Sequence, residues 1–209
     1  MKLENFLASF NSSGKGETYF EKYKEVGMLA MSTLPELSDL FNKLSGTEFE
    51  EGLLKIHTFG SSYFWTAIAF EFFKRYKGTS YCFAFDWFGR QYAVNYSGNK
   101  TLILLLDPAT AEVFEMESNI QSFLNEDTEE FKEVHLDKER FTTFYRKMGH
   151  KLKFSQCVGF KKPLFLGGKD DHSNFETGDM EVYWELNYQI YNQIKNLPGG
   201  TLIDNIKIE

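Results

Sequence analysis

The chain has 209 residues, 42 % of them hydrophobic and 25 % charged, with only four prolines, a balance that excludes disordered and collagen-like chains and suits one well-cored domain. Its two cysteines, Cys82 and Cys157, are too few for a disulfide scaffold and sit in apolar runs, as buried thiols in a reducing cytoplasm would. The longest uncharged stretch, Ile56 to Phe70, spans 15 residues and includes His, Gly and Ser, whereas a membrane span needs ~20 apolar residues. The opening Met1-Lys2-Leu3-Glu4-Asn5 has no apolar leader, so a cytoplasmic protein with no membrane partner is expected. Aromatic residues reach 17 %, with 22 Phe and 11 Tyr, which implies a core built from large flat side chains.

Charge falls in blocks. Residues 1–106 balance 11 bases against 11 acids, 107–139 hold 11 acids and two bases, 140–169 hold eight bases and no acid, and 170–209 hold eight acids and two bases. Such polarity reads either as opposite faces that neutralise each other in the fold or as a docking surface for a charged protein. With a pI near 5.3 the molecule lacks the dominant basic patch that direct nucleic-acid binding needs.

In chain order, Leu3, Phe6, Leu7 and Phe10 share one face of a short helix, and Asn11 to Gly16 break it. Thr18 with Glu21 has capping-box spacing for a second helix carrying Phe20 and Tyr23 inward. Pro35 suits the first turn of a third, with Leu37, Leu40, Phe41 and Leu44 in one stripe and Gly46 as its stop. Leu53 to Ile56 reads as a strand, and Ser61 and Ser62 as caps of a buried helix through Phe64, Trp65, Ile68, Phe70, Phe72 and Phe73. From Tyr81 the period becomes two: Tyr81, Phe83, Phe85 and Trp87, then Tyr92, Val94 and Tyr96 after Gly89, then Leu102–Leu106 and Val113–Met116. Short turns between them make an antiparallel meander of four strands. Ser118 with Gln121 marks another cap, 125–135 an acidic loop or frayed helix, and Phe141, Phe144, Tyr145 and Met148 a later helix. Leu186, Ile190, Ile194 and Leu197 describe a final helical face, stopped by Pro198-Gly199-Gly200 before a strand-like Leu202–Ile208. The expected fold is α+β: one domain, an antiparallel meander sheet packed by helices, with 1–50 as its N-terminal helical region and 51–209 as the rest.

Candidate chemistry is sparse. His57 lies near Ser61 and Ser62 without a G-x-S-x-G elbow; an enzyme site around His57, Asp86 and Arg90 is the rival to a binding function. Cys157 could pair with His150 or His172, though its flanks suit a packed thiol. The loop Gly167 to His172, with Asp170, Asp171 and then Glu176 and Asp179, gathers oxygen donors but matches no metal-site spacing. No catalytic residue, metal or cofactor is therefore assigned. Asp86-Trp87-Phe88-Gly89-Arg90 is the most distinctive peptide. Its Asp86 and Arg90 can pair to fix the hairpin while Trp87 covers the sheet edge, or Trp87 and Arg90 can form a recognition tip, as in a peptide-binding adaptor.

Phe83 to Ala93, Leu106-Asp107-Pro108-Ala109-Thr110 and Cys157 to Gly168, followed by Asn174-Phe175-Glu176, Asp179 to Trp184 and Gly200-Thr201, resemble the C-terminal immunity domain of the type VI secretion DNase-immunity proteins, often joined to a GAD-like N-terminal region. The resemblance spans roughly 53–205. It implies a small cytoplasmic protein without catalysis that binds and neutralises a cognate secreted toxin, commonly a nuclease and hence basic. On charge complementarity the expected contacts are Glu112, Glu115, Glu117, Glu126, Asp127, Glu129 and Glu130, joined by Trp87 and Arg90 as interface anchors at the hairpin tip.

Overall fold

The computed structural model describes residues 1–16, 20–198, 200–201, 203 and 206–208. Helix α1 (Glu4–Ser9) and strand β1 (Ser12–Lys15) come first, then helices α2 (Lys24–Ala30) and α3 (Pro35–Leu44), strands β2 (Thr47–Phe49) and β3 (Leu54–Ile56), and helix α4 (Phe59–Phe72). Strands β4 (Ser80–Asp86), β5 (Gln91–Asn95), β6 (Leu102–Asp107) and β7 (Glu112–Glu117) form the expected meander. The first three strands extend it without a crossover, giving one antiparallel sheet in the order β1-β2-β3-β4-β5-β6-β7. The segment expected only to break the first helix is thus partly a strand. Ser12-Ser13-Gly14-Lys15 has little strand preference of its own and is held by pairing Ser12 with Phe49 and Lys15 with Thr47.

Beyond the sheet come α5 (Ile120–Asn125), a single turn α6 (Thr128–Glu130) that runs into a π-helix over Phe131–His135, and α7 (Lys138–Met148). A small antiparallel ribbon, β8 (Gln156–Phe160) with β9 (Phe175–Asp179), precedes α8 (Met180–Ile194).

Alternation along β5 and β6, and a bulge at Cys82–Ala84 that breaks the alternation in β4 and turns Phe85 away from the face of Phe83, send side chains into two cores. Phe83, Tyr92, Val94, Ile103 and Leu105 meet Phe6, Leu37, Phe41, Ile120, Phe131 and Phe141 on one face. Phe85, Ala93, Leu104 and Leu106 meet Trp65, Phe70 and Trp184 on the other. Residues before position 51, such as Phe6, Leu40 and Phe49, lie in the first core beside residues from the C-terminal half.

Several local expectations change. Leu7 is exposed, and Thr18 lies outside the described residues. The cap of α4 is Thr58, whose hydroxyl accepts from Ser61 N at 3.0 Å while Ser61 reaches back, so Ser61 is the third residue of the box and Ser62 is interior. Asn119, not Ser118, caps α5 by accepting from Ser122 N at 2.8 Å. On α8 the buried face holds Met180, Trp184 and Asn187 rather than Leu186 and Ile190. The final strand-like stretch includes residues outside those described, and its described positions 203 and 206–208 are not in a strand.

The tip between β4 and β5 joins these layers. Asp86, with no exposed surface, accepts from Phe88 N and Arg90 N, each at 3.0 Å, and pairs with Arg90 Nε at 2.6 Å. Arg90 also donates to His135 O at 2.5 Å, and Trp87 Nε1 to Leu136 O at 2.7 Å, so the π-helix ends on the hairpin. Val158 N donates to Trp87 O at 2.8 Å, and Trp184 Nε1 to Gly89 O at 2.8 Å. Gly89 has φ +76°, and a Cβ there would come within 3.0 Å of Cys157, which is why the tight turn takes glycine. Burial pushes the Asp86 carboxyl up while Arg90 draws it back down. Asp86→Ala leaves the largely buried Arg90 guanidinium without its carboxylate and is expected to cost about 3 kcal/mol in urea unfolding, the low end for a buried pair because part of Arg90 stays exposed, against under about 0.5 kcal/mol for Glu112→Ala on the surface. Equal effects would contradict this role.

Candidate functional site

Strand β7 is the last in the sheet. Its backbone pairs with β6 from Leu102↔Glu117 to Asp107↔Glu112, and among the described residues its other edge has no hydrogen-bonding partner. Glu112, Phe114, Glu115 and Glu117 are exposed along it. The following segment adds Glu126, Asp127, Glu129 and Glu130, all exposed as well. Seven of the acids expected to meet a partner therefore lie on the surface of one continuous stretch of chain.

Neutralisation within this block is partial. Glu115 meets Arg75 at 3.5 Å and Tyr76, and Glu117 meets Lys100 at 2.7 Å. Glu133 pairs with Lys138 at 3.1 Å and Asp137 with Arg140 at 2.9 Å. Glu112, Glu126, Asp127, Glu129 and Glu130 enter no ion pair among the described residues. Of the two bases in the block, Lys132 turns inward: it is 4 % exposed, donates to Ser9 O, and lies 4.6 Å from the Phe10 ring centre. The local surface is thus more acidic than the sequence count suggests. Two of the acids also shape the backbone. Asp127 and Asp137 both adopt positive φ, which Asp tolerates better than most residues, and Asp127 Oδ1 accepts from Glu130 N at 3.1 Å.

A groove of about 240 Å³ runs beside β7, with Glu117, Glu126, Asp127 and Glu130 around Met116 and Phe123. A second cavity, about 230 Å³, opens where Phe114 meets the π-helix, and its walls include Phe88, Arg90, Asp107, Thr110 and Val134. Phe114 is 51 % exposed and Val134 68 %. The Thr110 hydroxyl oxygen is buried without a hydrogen-bond partner, and burial pushes the Asp107 carboxyl up while Arg90 pulls it down.

The remaining sequence candidates fall elsewhere. Trp87 has no exposed surface and is a core residue, so it cannot touch a partner directly; large aromatic area is worth more in the core than at a hairpin tip. Arg90 keeps 19 % of its side chain exposed at the second cavity. His57 is sealed, with Nδ1 at 2.9 Å from Ser61 Oγ and Nε2 at 2.8 Å from Gln91 Oε1. Burial pushes its pKa down to about 3, against the Gln91 hydrogen bond. His57 and Asp86 thus share no solvent-open site. Cys157 is buried and its thiol is pushed up by that burial, against the nearby Lys55 cation. His150 is exposed with Nδ1 3.0 Å from Met148 O, and the His172 ring lies parallel to that of Phe144. In the 170–172 loop, Asp170 pairs with Arg140 at 2.6 Å and Asp171 accepts from Ser173 N at 2.8 Å. Among the described residues no three His, Cys, Asp or Glu side chains converge as a metal site would require. No helix among them is long and apolar enough to cross a membrane.

A meander sheet between two helical layers, with an open acidic edge, defines an α+β protein whose most accessible feature is a surface. The same fold occurs in the crystal structure of Atu4351 from Agrobacterium tumefaciens, at TM-score 0.63 and 16 % identity over 90 % of this chain and 89 % of that one. Residues 117–191 match the family described as T6SS immunity protein Tdi1, C-terminal, which supports the resemblance to type VI secretion immunity proteins. The match begins at the last residue of β7 and runs through α5, the π-helix, α7, the β8–β9 ribbon and most of α8. No curated protein matches the chain.

The sealed His57 has a measurable consequence. The unfolded chain protonates this ring below about pH 6.5, whereas the folded chain holds it neutral down to about 3. Its contribution to stability is complete above that window and falls as pH drops through it, by about 1.4 kcal/mol per pH unit. Unfolding free energies between pH 6 and 4 should decline less steeply for His57→Asn by that amount; identical slopes would contradict the assignment.

Proposed function

We propose that this protein is a type VI secretion immunity protein that binds and neutralises a cognate toxin in the cytoplasm by protein–protein contact, without catalysis. The match of residues 117–191 to the immunity family carries this reading. The unpaired acids support a basic toxin, such as a nuclease whose cleft is built for phosphates: an exposed field of one sign speeds encounter with the other and selects against like-charged partners. Glu112, Glu115, Glu117, Glu126, Asp127, Glu129 and Glu130 are the proposed contact surface, with Arg90 at its margin. The burial of His57 and Asp86 speaks for binding over the rival enzyme reading.

The test is survival of cells expressing the toxin encoded beside this gene, with and without the protein, followed by co-purification. Rescue with a stoichiometric complex is the expected result; a complex that leaves the toxin active would overturn the reading. Reversing Glu126, Glu129 and Glu130 to Lys should lower the association rate by roughly tenfold or more at low salt and leave the unfolding midpoint in place.

A further inference from the structure

We infer that β7 is a docking edge that takes an extended, Lys- or Arg-bearing segment of the partner as an eighth antiparallel strand, with an apolar side chain of that segment packed over Phe114 beside Val134. The inference rests on the immunity reading and specifies its mode of contact.

The first observation is the edge itself. Six consecutive residues, Glu112–Glu117, are in strand conformation, and among the described residues only β6 pairs with them. Every second residue of such an edge presents its N–H and C=O outward, and an added strand satisfies them whatever its sequence. Folded proteins defend exposed edges with charge, which Glu112, Glu115 and Glu117 supply, but an undecorated defence would not place a half-exposed phenyl ring at the centre of the strand. Phe114 is 51 % exposed, and it shares a cavity wall with Val134, itself 68 % exposed on the π-helix. The cavity behind them is lined by Asp107 and by Thr110, whose hydroxyl has no hydrogen-bond partner. Backbone edge, apolar platform and a polar recess adjoin one another there.

Charge decides between occupants. If a second copy paired its own β7 in full antiparallel register, Glu112 would face Glu117 at both ends of the ladder, and like charges directly opposite are destabilising. A segment with Lys or Arg opposite Glu115 and Glu117, which share one face of the strand, and an apolar residue opposite Phe114 on the other face makes favourable cross-strand contacts instead. It would also find Glu126, Asp127 and Glu130 along the groove beside Met116.

The test uses the full chain and a ten-residue synthetic peptide of alternating Lys and Val, followed by amide hydrogen exchange across residues 112–117. The expected result is at least tenfold slower exchange of the outward amides at saturating peptide, with at least tenfold weaker peptide binding by Phe114→Lys and unchanged binding by Leu29→Lys, a control on the exposed face of α2. No binding, binding without protection of β7, or self-association through β7 would each overturn the inference. The same exchange measurement on the co-purified toxin complex separates the two ideas: rescue with β7 unprotected removes this docking mode and leaves immunity standing, whereas peptide pairing without rescue removes the immunity reading alone.

Discussion

Much of the structure depends on one buried ion pair, Asp86 with Arg90, closed inside the turn between β4 and β5. A carboxylate and a guanidinium removed from water need nearly all of their hydrogen-bonding capacity filled nearby, or their desolvation exceeds what the pairing returns. The hairpin meets that demand with its own backbone N–H groups and with a carbonyl of the π-helix. The π-helix, the β8–β9 ribbon and α8 are all tied to the same few residues: Leu136 O through Trp87 Nε1, Val158 N through Trp87 O, and Trp184 Nε1 through Gly89 O. The most distinctive peptide in the sequence is thus the internal joint of the molecule, and its aromatic ring is spent on the core.

That joint also explains how an acidic surface can be displayed on a stable fold. Seven strands in chain order leave β7 at an edge, and the segment after it must cross back over the sheet to reach α7. The crossing is anchored on its inner side by Phe131 and by Lys132, which lies over the Phe10 ring and reaches Ser9 O. With Lys132 committed to the core, Glu126, Glu129 and Glu130 project outward and enter no ion pair among the described residues.

The sequence was legible where the signal is local. The stripe Leu37, Leu40, Phe41 and Leu44 became the buried face of α3, and the stretch of two-residue period from Tyr81 to Met116 became β4 to β7, although a bulge at Cys82–Ala84 breaks the period in β4 and puts Phe83 and Phe85 in opposite cores. It was opaque where an element exists only through distant pairing: β1 is polar, β2 has three residues, and β8 and β9 depend on each other across the 161–174 loop. The face of α8 misled because Leu186 and Ile190 look more apolar than Asn187, while Trp184, bonded to Gly89 O, sets which side turns inward. The acidic contact candidates were readable as a charge block, but neither the inward turn of Lys132 nor the open edge beside Phe114 has a local signature. Trp87 shows the converse: a residue type favoured at interfaces whose place was fixed by core packing.

The central claim is that an uncompensated acidic face recognises a basic partner. The most direct measurement is the rate of association between this protein and the proposed toxin partner as ionic strength is raised from 20 to 500 mM, a span over which screening shortens from roughly 20 Å to about 4 Å. The account predicts a steep fall in association rate for the native chain and a shallow one for the chain reversed at Glu126, Glu129 and Glu130. Equal, salt-independent rates for both would contradict it.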